Sequence, residues 1–454
     1  MIIMEDNIMA SKKKIRIGIY GLRRGRAFLN RMAKIPGVSV IAVCEKDQSA
    51  IDEAKEKGYA PYFEGVKFCD TYEELLDSGI NAVILANYFT DHAKCAIMAL
   101  EKKIDVLSET TAAPTLAECV QLCRAVEKSH RKYLLAANTP WMPGPAELGE
   151  IIKKGEIGDV MFGEAEYLHP WDCEVYPTGF KNHNPNAYTH WRKHLPRTYY
   201  NMHSLGVMMQ MTNSVPVKVS GKAVYAPAYA EAMSAPYLGD VHSLTLTEMS
   251  NGAMFSTTGH SSLGPKGKWF RFVGTKGNAE TLRFDETGVR VDYMTWAKPS
   301  EDAPNYKDGH IEYYPDNAGH LDCFTDKERK IAAESFPQPT TKSGHAGNCD
   351  FWISLYFIKY LRNEVKPFFD VYKATALSAA GILAHRSILN GGKEYEVPDF
   401  TDKRRRRKYE KDTLSPFPKE DGTWDIPCCS HPEYNLFEKY KDQIAEENKA
   451  KENK

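Results

Sequence analysis

The sequence predicts a two-domain α/β protein in which a doubly wound parallel sheet is followed by an α+β domain with a largely antiparallel open sheet. The chain has 454 residues, whereas one hydrophobic core rarely grows beyond about 250–300 residues. Short β-rich runs alternate with helical patterns in the first third, and later strands follow one another through tight turns. We expect a disordered N-terminus over 1–13, the first domain over 14–140, the second over 141–400 and a charged extension over 401–454.

Five strands separated by helices are predicted in the first domain. They are Ile15–Tyr20, Val38–Cys44, Ile80–Ala86, Ile104–Ser108 and Lys132–Ala137. Thr115 with Glu118 predicts one capped helix start, and Asp70 with Glu73 predicts another. Strands that alternate with helices in this way form a parallel sheet covered on both faces.

Tight turns replace the helices in the second domain. The strands Ser243–Ser250 and Ala253–Thr258 flank Asn251-Gly252, a dipeptide typical of a two-residue hairpin turn. Further predicted strands are Val160–Leu168, Trp269–Val273, Ala279–Phe284 and Val289–Met294. Two helices, Asp350–Asn363 and Val371–Leu389, follow.

Composition favours a small-molecule partner. The formal net charge is −1, which gives no global field for nucleic acid or an anionic membrane. No apolar run is long enough for a secretory leader or a membrane span, and most cysteines are isolated, so we expect a cytoplasmic protein with reduced thiols. Cys428-Cys429 near His431 lacks the second ligand pair of a zinc site. The run Arg404–Arg407 is interpreted as a solvated face rather than a nucleic-acid patch.

A dinucleotide-binding loop is predicted after the first strand. Gly21-Leu22-Arg23-Arg24-Gly25 leads from this strand into a helix, whose first backbone amides suit a pyrophosphate. Arg23 departs from the ideal glycine spacing, so the loop alone is weak evidence of a site. Glu45 ends the second strand, where a carboxylate accepts hydrogen bonds from the adenosine ribose and favours NAD over NADP. Arg23 or Arg24 argues for NADP if it pairs with a phosphate, and an ordinary strand–turn–helix is the alternative.

Polar residues follow later strands of the same sheet. Asn87, His92 and Asn138 lie at or just past strand ends, where open α/β sheets bind ligands. We therefore include them in the predicted cofactor site. Capping or turn roles are the alternative.

An aromatic and histidine-rich segment opens the second domain. Its predicted substrate contacts are Tyr167, His169, His190, Trp191 and Arg192. Rings stack on the apolar faces of sugars while imidazole and guanidinium groups bond hydroxyls. The alternatives are an aromatic core or a subunit interface. His190 and His194 have the spacing of helical metal ligands, but no third ligand is obvious, so no metal is predicted.

Several motifs together resemble the Gfo/Idh/MocA oxidoreductases. They are Ile17-Gly18-Ile19-Tyr20-Gly21, Val43-Cys44-Glu45, Ala82–Ala86 leading to His92, Val106–Glu109, Gly155–Gly158 and His203–Gly206. The resemblance covers about residues 14–400. It implies an NAD(P)-binding Rossmann domain, a preference for sugars, inositols and glycosides, and a homo-oligomer, dimer or tetramer, formed through the second sheet.

One departure from this family concerns proton transfer. The family's Glu-Lys-Pro segment carries a lysine beside the nicotinamide, but this chain has Glu109-Thr110-Thr111. Hydride transfer from a hydroxyl still requires a group that takes the proton. The resemblance places His203 at the family's active-site histidine, so His203 is the predicted base. Tyr199 and Tyr200 are predicted to assist it, and Glu109 joins the predicted cofactor site.

Three functions remain open at this point. The first is an NAD-dependent oxidation of a sugar, glycoside or cyclic polyol hydroxyl. The second, motivated by the missing lysine, is cleavage of a glycoside by oxidation and elimination with a tightly bound NAD that is recycled. The third is a non-catalytic dinucleotide sensor.

Overall fold

A computed structural model gives the fold. It describes residues 14–169, 194–225, 240–259, 266–283, 285–293, 310–316, 318–337, 346–417, 419, 423–431, 441–442, 445–446 and 449. The chain divides into two compact units. The first unit contains residues 1–113, 118–146 and 316–375, and the second contains 114–117, 147–315 and 376–454. Residues 316–375, which lie within the predicted second domain, thus belong to the unit of the first sheet.

Six parallel strands form the sheet of the first unit, in the order β3-β2-β1-β4-β5-β6. The strands are β1 Ile15–Tyr20, β2 Val38–Cys44, β3 Lys67–Cys69, β4 Ala82–Leu85, β5 Asp105–Ser108 and β6 Tyr133–Leu135. All four residues of β4 are buried, as expected for a strand covered on both faces. The predicted parallel sheet is confirmed.

Helices follow these strands, and one of them, Pro143–Lys153, is divided between the two units after residue 146. They are α1 Leu22–Met32, α2 Gln48–Ala54, α3 Tyr72–Leu76, α4 His92–Glu101, α5 Leu116–Ser129, α6 Pro143–Lys153, α8 Asp326–Ser335 and α9 Cys349–Leu361. The predicted start of α3 was wrong by one residue. Thr71, not Asp70, is its N-cap, because the Thr71 hydroxyl accepts from the Glu74 amide.

A nine-stranded, mostly antiparallel sheet forms the second unit, in the order β14-β13-β12-β11-β7-β10-β9-β8-β15. Its strands are β7 Val160–Leu168, β8 Pro216–Val224, β9 His242–Met249, β10 Met254–Thr257, β11 Gly267–Gly274, β12 Gly277–Leu282, β13 Asp285–Tyr293, β14 His310–Tyr313 and β15 Tyr395–Glu396. The remaining helices are α7 Leu205–Thr212, α10 Val371–Leu389 and α11 Lys403–Arg407. The predicted hairpin is confirmed: β9 and β10 are antiparallel, and Gly252 between them has φ 84°.

Two sequence expectations concern the whole chain. The nine cysteines among the described residues are free thiols, and all but Cys323 are buried. Across the described ranges, no helix is both long and apolar enough to cross a membrane.

Candidate functional site

The turn after β1 requires glycine. Gly21 has φ 87°, and a Cβ placed on it would lie 2.5 Å from the carbonyl oxygen of Ala86. A Cβ on Gly25 would lie 2.5 Å from the Ile19 side chain. The loops after β1 and β4 are therefore packed closely, and α1 lies tightly against β1. This is the backbone arrangement that lets a diphosphate approach a helix N-terminus.

Glu45 lies beside the start of α1. One carboxylate oxygen accepts from the Leu22 amide at 2.7 Å, and the other accepts from the Asp47 amide at 3.0 Å. Each oxygen retains a second lone pair, so the carboxylate can still accept from a ribose hydroxyl. The same negative charge opposes a ribose phosphate.

Arg23 does not carry an uncompensated charge into this loop. Its guanidinium pairs with Asp47 at 2.5 Å and with Glu53 at 3.1 Å, and it donates to the Ser49 hydroxyl at 3.0 Å. Burial opposes ionisation of Asp47, but hydrogen bonds from Ser49 and Arg23 outweigh it and lower the pKa of this carboxyl. Because two carboxylates already neutralise its charge, Arg23 is not set up to pair with the extra phosphate of NADP.

Arg24 is the centre of a partly buried polar network in the first unit. Its Nε donates to Glu109 at 2.7 Å, and its two terminal nitrogens donate to both oxygens of Asp350 at 3.0 and 2.7 Å. The Asn138 amide also donates to Asp350, at 3.2 Å. Burial disfavours the charge of Arg24, yet Asp350 and Glu109 outweigh burial and raise the pKa of Arg24. The network fixes the Glu109 carboxylate after β5 and the Asn138 amide after β6.

His92 joins the loops after β4 and β5. Its Nδ1 lies 3.0 Å from the Thr111 carbonyl oxygen, and its Nε2 lies 3.2 Å from the Asn87 carbonyl oxygen. Burial lowers the pKa of His92, so the ring is neutral at pH 7 and one nitrogen donates. One imidazole thus links the backbone at Asn87 to the backbone at Thr111.

These residues meet the requirements of a dinucleotide. Gly21 and Gly25 leave room for a backbone approach, and Glu45 offers carboxylate oxygens for a ribose. Among the described residues, Asn87 Oδ1 and Thr110 Oγ1 are buried and have no hydrogen-bond partner. Unpaired buried polar atoms are costly. They are therefore expected to meet a ligand, and the first unit suits NAD.

The predicted substrate residues form a separate cluster in the second unit. The ring centroid of Tyr167 lies 4.6 Å from that of His203, 6.0 Å from that of Tyr200 and 5.6 Å from that of His169. Tyr200 and His203 are 5.3 Å apart. His203 and Tyr200 are half-buried. An imidazole is thus placed beside two phenol rings, which suits proton exchange with a hydroxyl-bearing ligand.

Tyr199 does not belong to this cluster. It is buried, and its ring makes edge contacts with His385 at 6.1 Å and Phe417 at 5.7 Å. The backbone of Tyr200 is non-helical within the turn Arg197–His203, with φ −97° and ψ 48°. The two adjacent tyrosines therefore pack in different surroundings. His190, Trp191 and Arg192 lie outside the described residues, so their predicted roles stay predictions.

Sequence reasoning missed three residues. Asp350 is buried in the first turn of α9, far along the chain from its partner Arg24. Lys268 is a buried lysine on β11 directly opposite Tyr167, with its ammonium 6.0 Å from the Tyr167 ring centroid. Thr110 has the unpaired hydroxyl described above. Of the three, Lys268 is the one that the sequence could have revealed. It lies two and four residues before Phe270 and Phe272, so all three share one face of the strand, and both phenylalanines are buried.

Metal ligation finds no support in the described ranges. They contain no group of three or more histidine, cysteine, aspartate or glutamate side chains that could hold a metal ion. Cys429 instead lies 3.4 Å from the His431 carbonyl oxygen. The predicted ligand His190 is outside these ranges.

Two family models match the chain. Residues 15–137 match the oxidoreductase family with an NAD-binding Rossmann fold, the Gfo/Idh/MocA model. Residues 322–407 match the C-terminal domain of glycosyl hydrolase 109. The predicted resemblance and the NAD-binding domain are confirmed. Asp350 lies within the second match.

Known relatives extend over most of the chain. A glycosyl hydrolase family 109 protein of Phocaeicola vulgatus is 24% identical over 421 residues, which are 85% of this chain and 84% of the relative. An alpha-N-acetylgalactosaminidase of Shewanella oneidensis is also 24% identical, with 85% of each chain covered.

Solved structures share the fold. A levoglucosan dehydrogenase in complex with NADH and L-sorbose has a TM-score of 0.65 at 16% identity, covering 86% of this chain and 100% of that structure. The myo-inositol 2-dehydrogenase of Lactobacillus plantarum has a TM-score of 0.60 at 16% identity, covering 85% and 100%. The two-part architecture predicted from the sequence is confirmed.

Proposed function

With residues 15–137 matching the Gfo/Idh/MocA oxidoreductase model, we propose that this protein cleaves a glycoside by an NAD-dependent, redox-neutral oxidation and elimination. The observation that carries the proposal is the pairing of two matches on one chain, an NAD-binding domain and the C-terminal domain of glycosyl hydrolase 109. An oxidoreductase domain without the family's lysine is a second support, because the proton chemistry has to differ from that of a simple dehydrogenase.

In this reaction the cofactor is responsible for hydride transfer, and the protein is responsible for proton transfer. NAD, when bound, would supply a reversible hydride acceptor for a sugar ring carbon. Water adds to the anomeric carbon of the unsaturated ketone left by elimination, so that the net reaction is hydrolysis of the glycosidic bond. Oxidation to a ketone acidifies the proton on the adjacent carbon, and loss of that proton expels the glycosidic oxygen. The protein therefore has to accept two protons, one from a hydroxyl and one from carbon, and to protonate the leaving oxygen.

His203 and Tyr200 are the groups proposed for these proton transfers. Imidazole titrates near neutrality and serves as base for the hydroxyl proton. The Tyr200 ring is 5.3 Å from that of His203, so its hydroxyl is proposed to assist. Tyr167 supplies a ring on which the apolar face of a pyranose can stack. A role of Tyr199 in assisting the base stays a prediction, and its ring contacts His385 and Phe417 instead of His203.

The substrate class follows from the relatives. One relative that covers 85% of this chain is named an alpha-N-acetylgalactosaminidase, so we propose an α-linked N-acetylhexosaminide as the first glycoside to test. A net dehydrogenase acting on a sugar hydroxyl is the second candidate, because the matched N-terminal family is an oxidoreductase family.

A chromogenic glycoside panel separates the two candidates. Purified protein is incubated with nitrophenyl α- and β-glycosides of N-acetylgalactosamine, galactose and glucose, and nitrophenol and NADH are read in the same cuvette. Glycoside cleavage predicts nitrophenol without net NADH. Equal amounts of NADH and oxidised sugar without nitrophenol would refute the proposal in favour of the dehydrogenase.

We also propose that the protein forms a homo-oligomer through the open face of the second sheet. Leu244 and Leu246 of β9 are 46% and 47% exposed, and Met254 of β10 is 40% exposed on the same face. Contiguous exposed apolar side chains mark interaction surfaces. Leu246→Asp should yield monomers in native mass spectrometry, whereas Leu414→Asp, at an exposed leucine outside the sheet, should not. An unchanged assembly in Leu246→Asp would contradict the proposed face.

A further inference from the structure

We infer that a C-terminal clamp positions the proposed base His203, an inference that rests on the proposed function. Four residues make up this clamp: Asp412, Phe417, Pro427 and Ser430. They follow residue 407, where the second family match ends, and they belong to the second unit together with His203. The clamp acts through the turn Arg197–His203, whose last residue is this histidine.

Helix α10 holds the middle of the turn. Thr198 Oγ1 donates to the Gly381 carbonyl oxygen at 2.8 Å, and the Asn201 amide nitrogen donates to the Leu377 carbonyl oxygen at 3.1 Å. A Cβ placed on Gly381 would lie 2.6 Å from the Thr198 carbonyl oxygen. The backbones of turn and helix therefore pack directly against each other, so a displacement of the helix displaces the turn.

The clamp fixes α10 one turn further along the helix. His385, four residues after Gly381, donates through Nε2 to the Pro427 carbonyl oxygen at 2.7 Å. The next residue, Arg386, donates to both carboxylate oxygens of Asp412 at 2.6 and 2.5 Å. His385 is buried, and residues four apart lie on the same helix face. The face of α10 that holds the turn is thus also held by the clamp.

A second route leads from the clamp to the start of the turn. The Ser430 hydroxyl donates to the Asp240 carboxylate at 2.6 Å, and the Ser430 amide donates to the same carboxylate at 3.0 Å. The Asp240 carbonyl oxygen accepts from Arg197 Nε at 2.6 Å. Asp240 and Arg197 are both buried. The ring of Phe417 lies 5.7 Å from that of Tyr199, also in the turn. The clamp therefore holds both the start and the middle of the turn.

The turn depends on these contacts because its own backbone is irregular. It is a short 3-10 turn, and Tyr200 within it has non-helical φ −97° and ψ 48°. Such turns have poorer internal hydrogen bonds than an α-helix. A base must lie within hydrogen-bond reach of the proton that it takes, and a displacement of about 1 Å can lower a rate about 100-fold. Release of the clamp is therefore expected to slow catalysis without removing any group that contacts the substrate.

Substitutions at Asp240 and Ser430 test the second route in the full chain. Asp240→Ala removes the acceptor of both Ser430 donors but keeps the backbone carbonyl that binds Arg197, and Asp240→Asn restores one acceptor oxygen. Ser430→Ala is a milder variant that removes the hydroxyl alone. The matched control is Lys419→Ala, because Lys419 pairs at 2.6 Å with Asp425, an ion pair that lies in the same stretch of chain but includes no residue of the turn.

Hydrogen exchange gives a readout that does not depend on activity. Peptides covering Arg197–His203 should exchange about tenfold faster in Asp240→Ala than in wild type, because hydrogen bonds to a charged acceptor are lost. Ser430→Ala should show about threefold faster exchange. Asp240→Asn should recover most of the protection, and Lys419→Ala should match wild type.

Steady-state kinetics separate positioning from stability. They are measured with nitrophenyl α-N-acetylgalactosaminide at a temperature at which circular dichroism shows every variant folded. Asp240→Ala should lower kcat at least about tenfold while KM and the NAD affinity change less than about threefold. Asp240→Asn should recover kcat. A purely structural role would lower the thermal midpoint and leave kcat of the folded enzyme unchanged.

The outcomes distinguish the clamp from the proposed function. Faster exchange of the turn together with the loss of kcat supports positioning, whereas faster exchange with wild-type kcat would overturn it. Wild-type exchange of the turn in both Asp240→Ala and Ser430→Ala would overturn the clamp itself. Either result leaves the proposed function standing. Absence of glycoside cleavage by the wild type would instead refute the proposed function, and the exchange rates would still decide whether the clamp holds the turn.

Discussion

Asp350→Ala tests whether the buried network around Arg24 stabilises the first unit. Asp350 accepts from both terminal nitrogens of Arg24 and from the Asn138 amide. The Asp350 side chain is 6% exposed and that of Arg24 is 29% exposed. Its removal leaves Glu109 as the carboxylate paired with Arg24 and takes away the Asp350 acceptor of the Asn138 amide.

The expected loss follows from these contacts. Breaking a buried ion pair by deleting one partner costs about 3–5 kcal/mol. Partial exposure of Arg24 and its retained bond to Glu109 reduce the expected loss to about 2–3 kcal/mol. Asp326→Ala is the matched control, since Asp326 also lies in a first helical turn and pairs with an arginine, Arg329, but its side chain is 99% exposed. An exposed pair of this kind contributes about 0–1 kcal/mol.

Hydrogen exchange read by mass spectrometry suits a chain of two units, because it reports local opening for each peptide. Peptides covering β5 and α9 should exchange roughly 30- to 150-fold faster in Asp350→Ala than in wild type, which corresponds to about 2–3 kcal/mol. Asp326→Ala should change these peptides by less than about fivefold. Equal exchange in the two variants would refute the stabilising role of the network.

Three other predictions address the cofactor, pH and the base. Asp47→Ser keeps an N-cap for α2 but removes one of the two carboxylates paired with Arg23, so NADP affinity should rise about tenfold relative to NAD by calorimetry. An unchanged ratio argues against a role of Asp47 in neutralising Arg23. Burial lowers the pKa of His385 from its ordinary value near 6.5 to about 4. As the pH falls from about 6.5 to 4, the unfolded chain is therefore protonated at this residue before the folded chain is. The folded state loses about 3 kcal/mol of stability by pH 4. His385→Gln should flatten this part of a urea-denaturation pH profile, and a slope equal to that of wild type would contradict the assignment. His203→Ala should lower turnover at least about 100-fold with NAD affinity retained; wild-type kinetics would remove His203 from its role.

The strands of the first sheet were predictable because local pattern determines them. β1 and β2 have the predicted bounds, since short runs rich in β-branched residues between turn residues identify strands. β3 was missed because it is a three-residue edge strand with two exposed residues. The α3 cap was misplaced because Thr71 competes with the adjacent Asp70 for the same role.

The site was less predictable because its contacts are long-range. Glu45 and the glycine turn are local to one strand–turn–helix unit, and their roles could be inferred from spacing. The partner of Arg24 is Asp350, 326 residues away, and no spacing rule links them. Tyr199 and Tyr200 are adjacent in sequence, yet a non-helical backbone at Tyr200 separates their surroundings. Contacts of this kind depend on tertiary packing, which the local sequence pattern does not determine.

Turnover of a nitrophenyl α-N-acetylgalactosaminide in heavy water tests redox-neutral cleavage most directly. The released sugar is analysed by proton NMR. Removal and return of a carbon-bound proton beside the transient ketone predicts deuterium at the carbon next to the oxidised one, while the oxidised carbon keeps its original hydrogen because the hydride returns. Released sugar without deuterium on carbon would contradict the account.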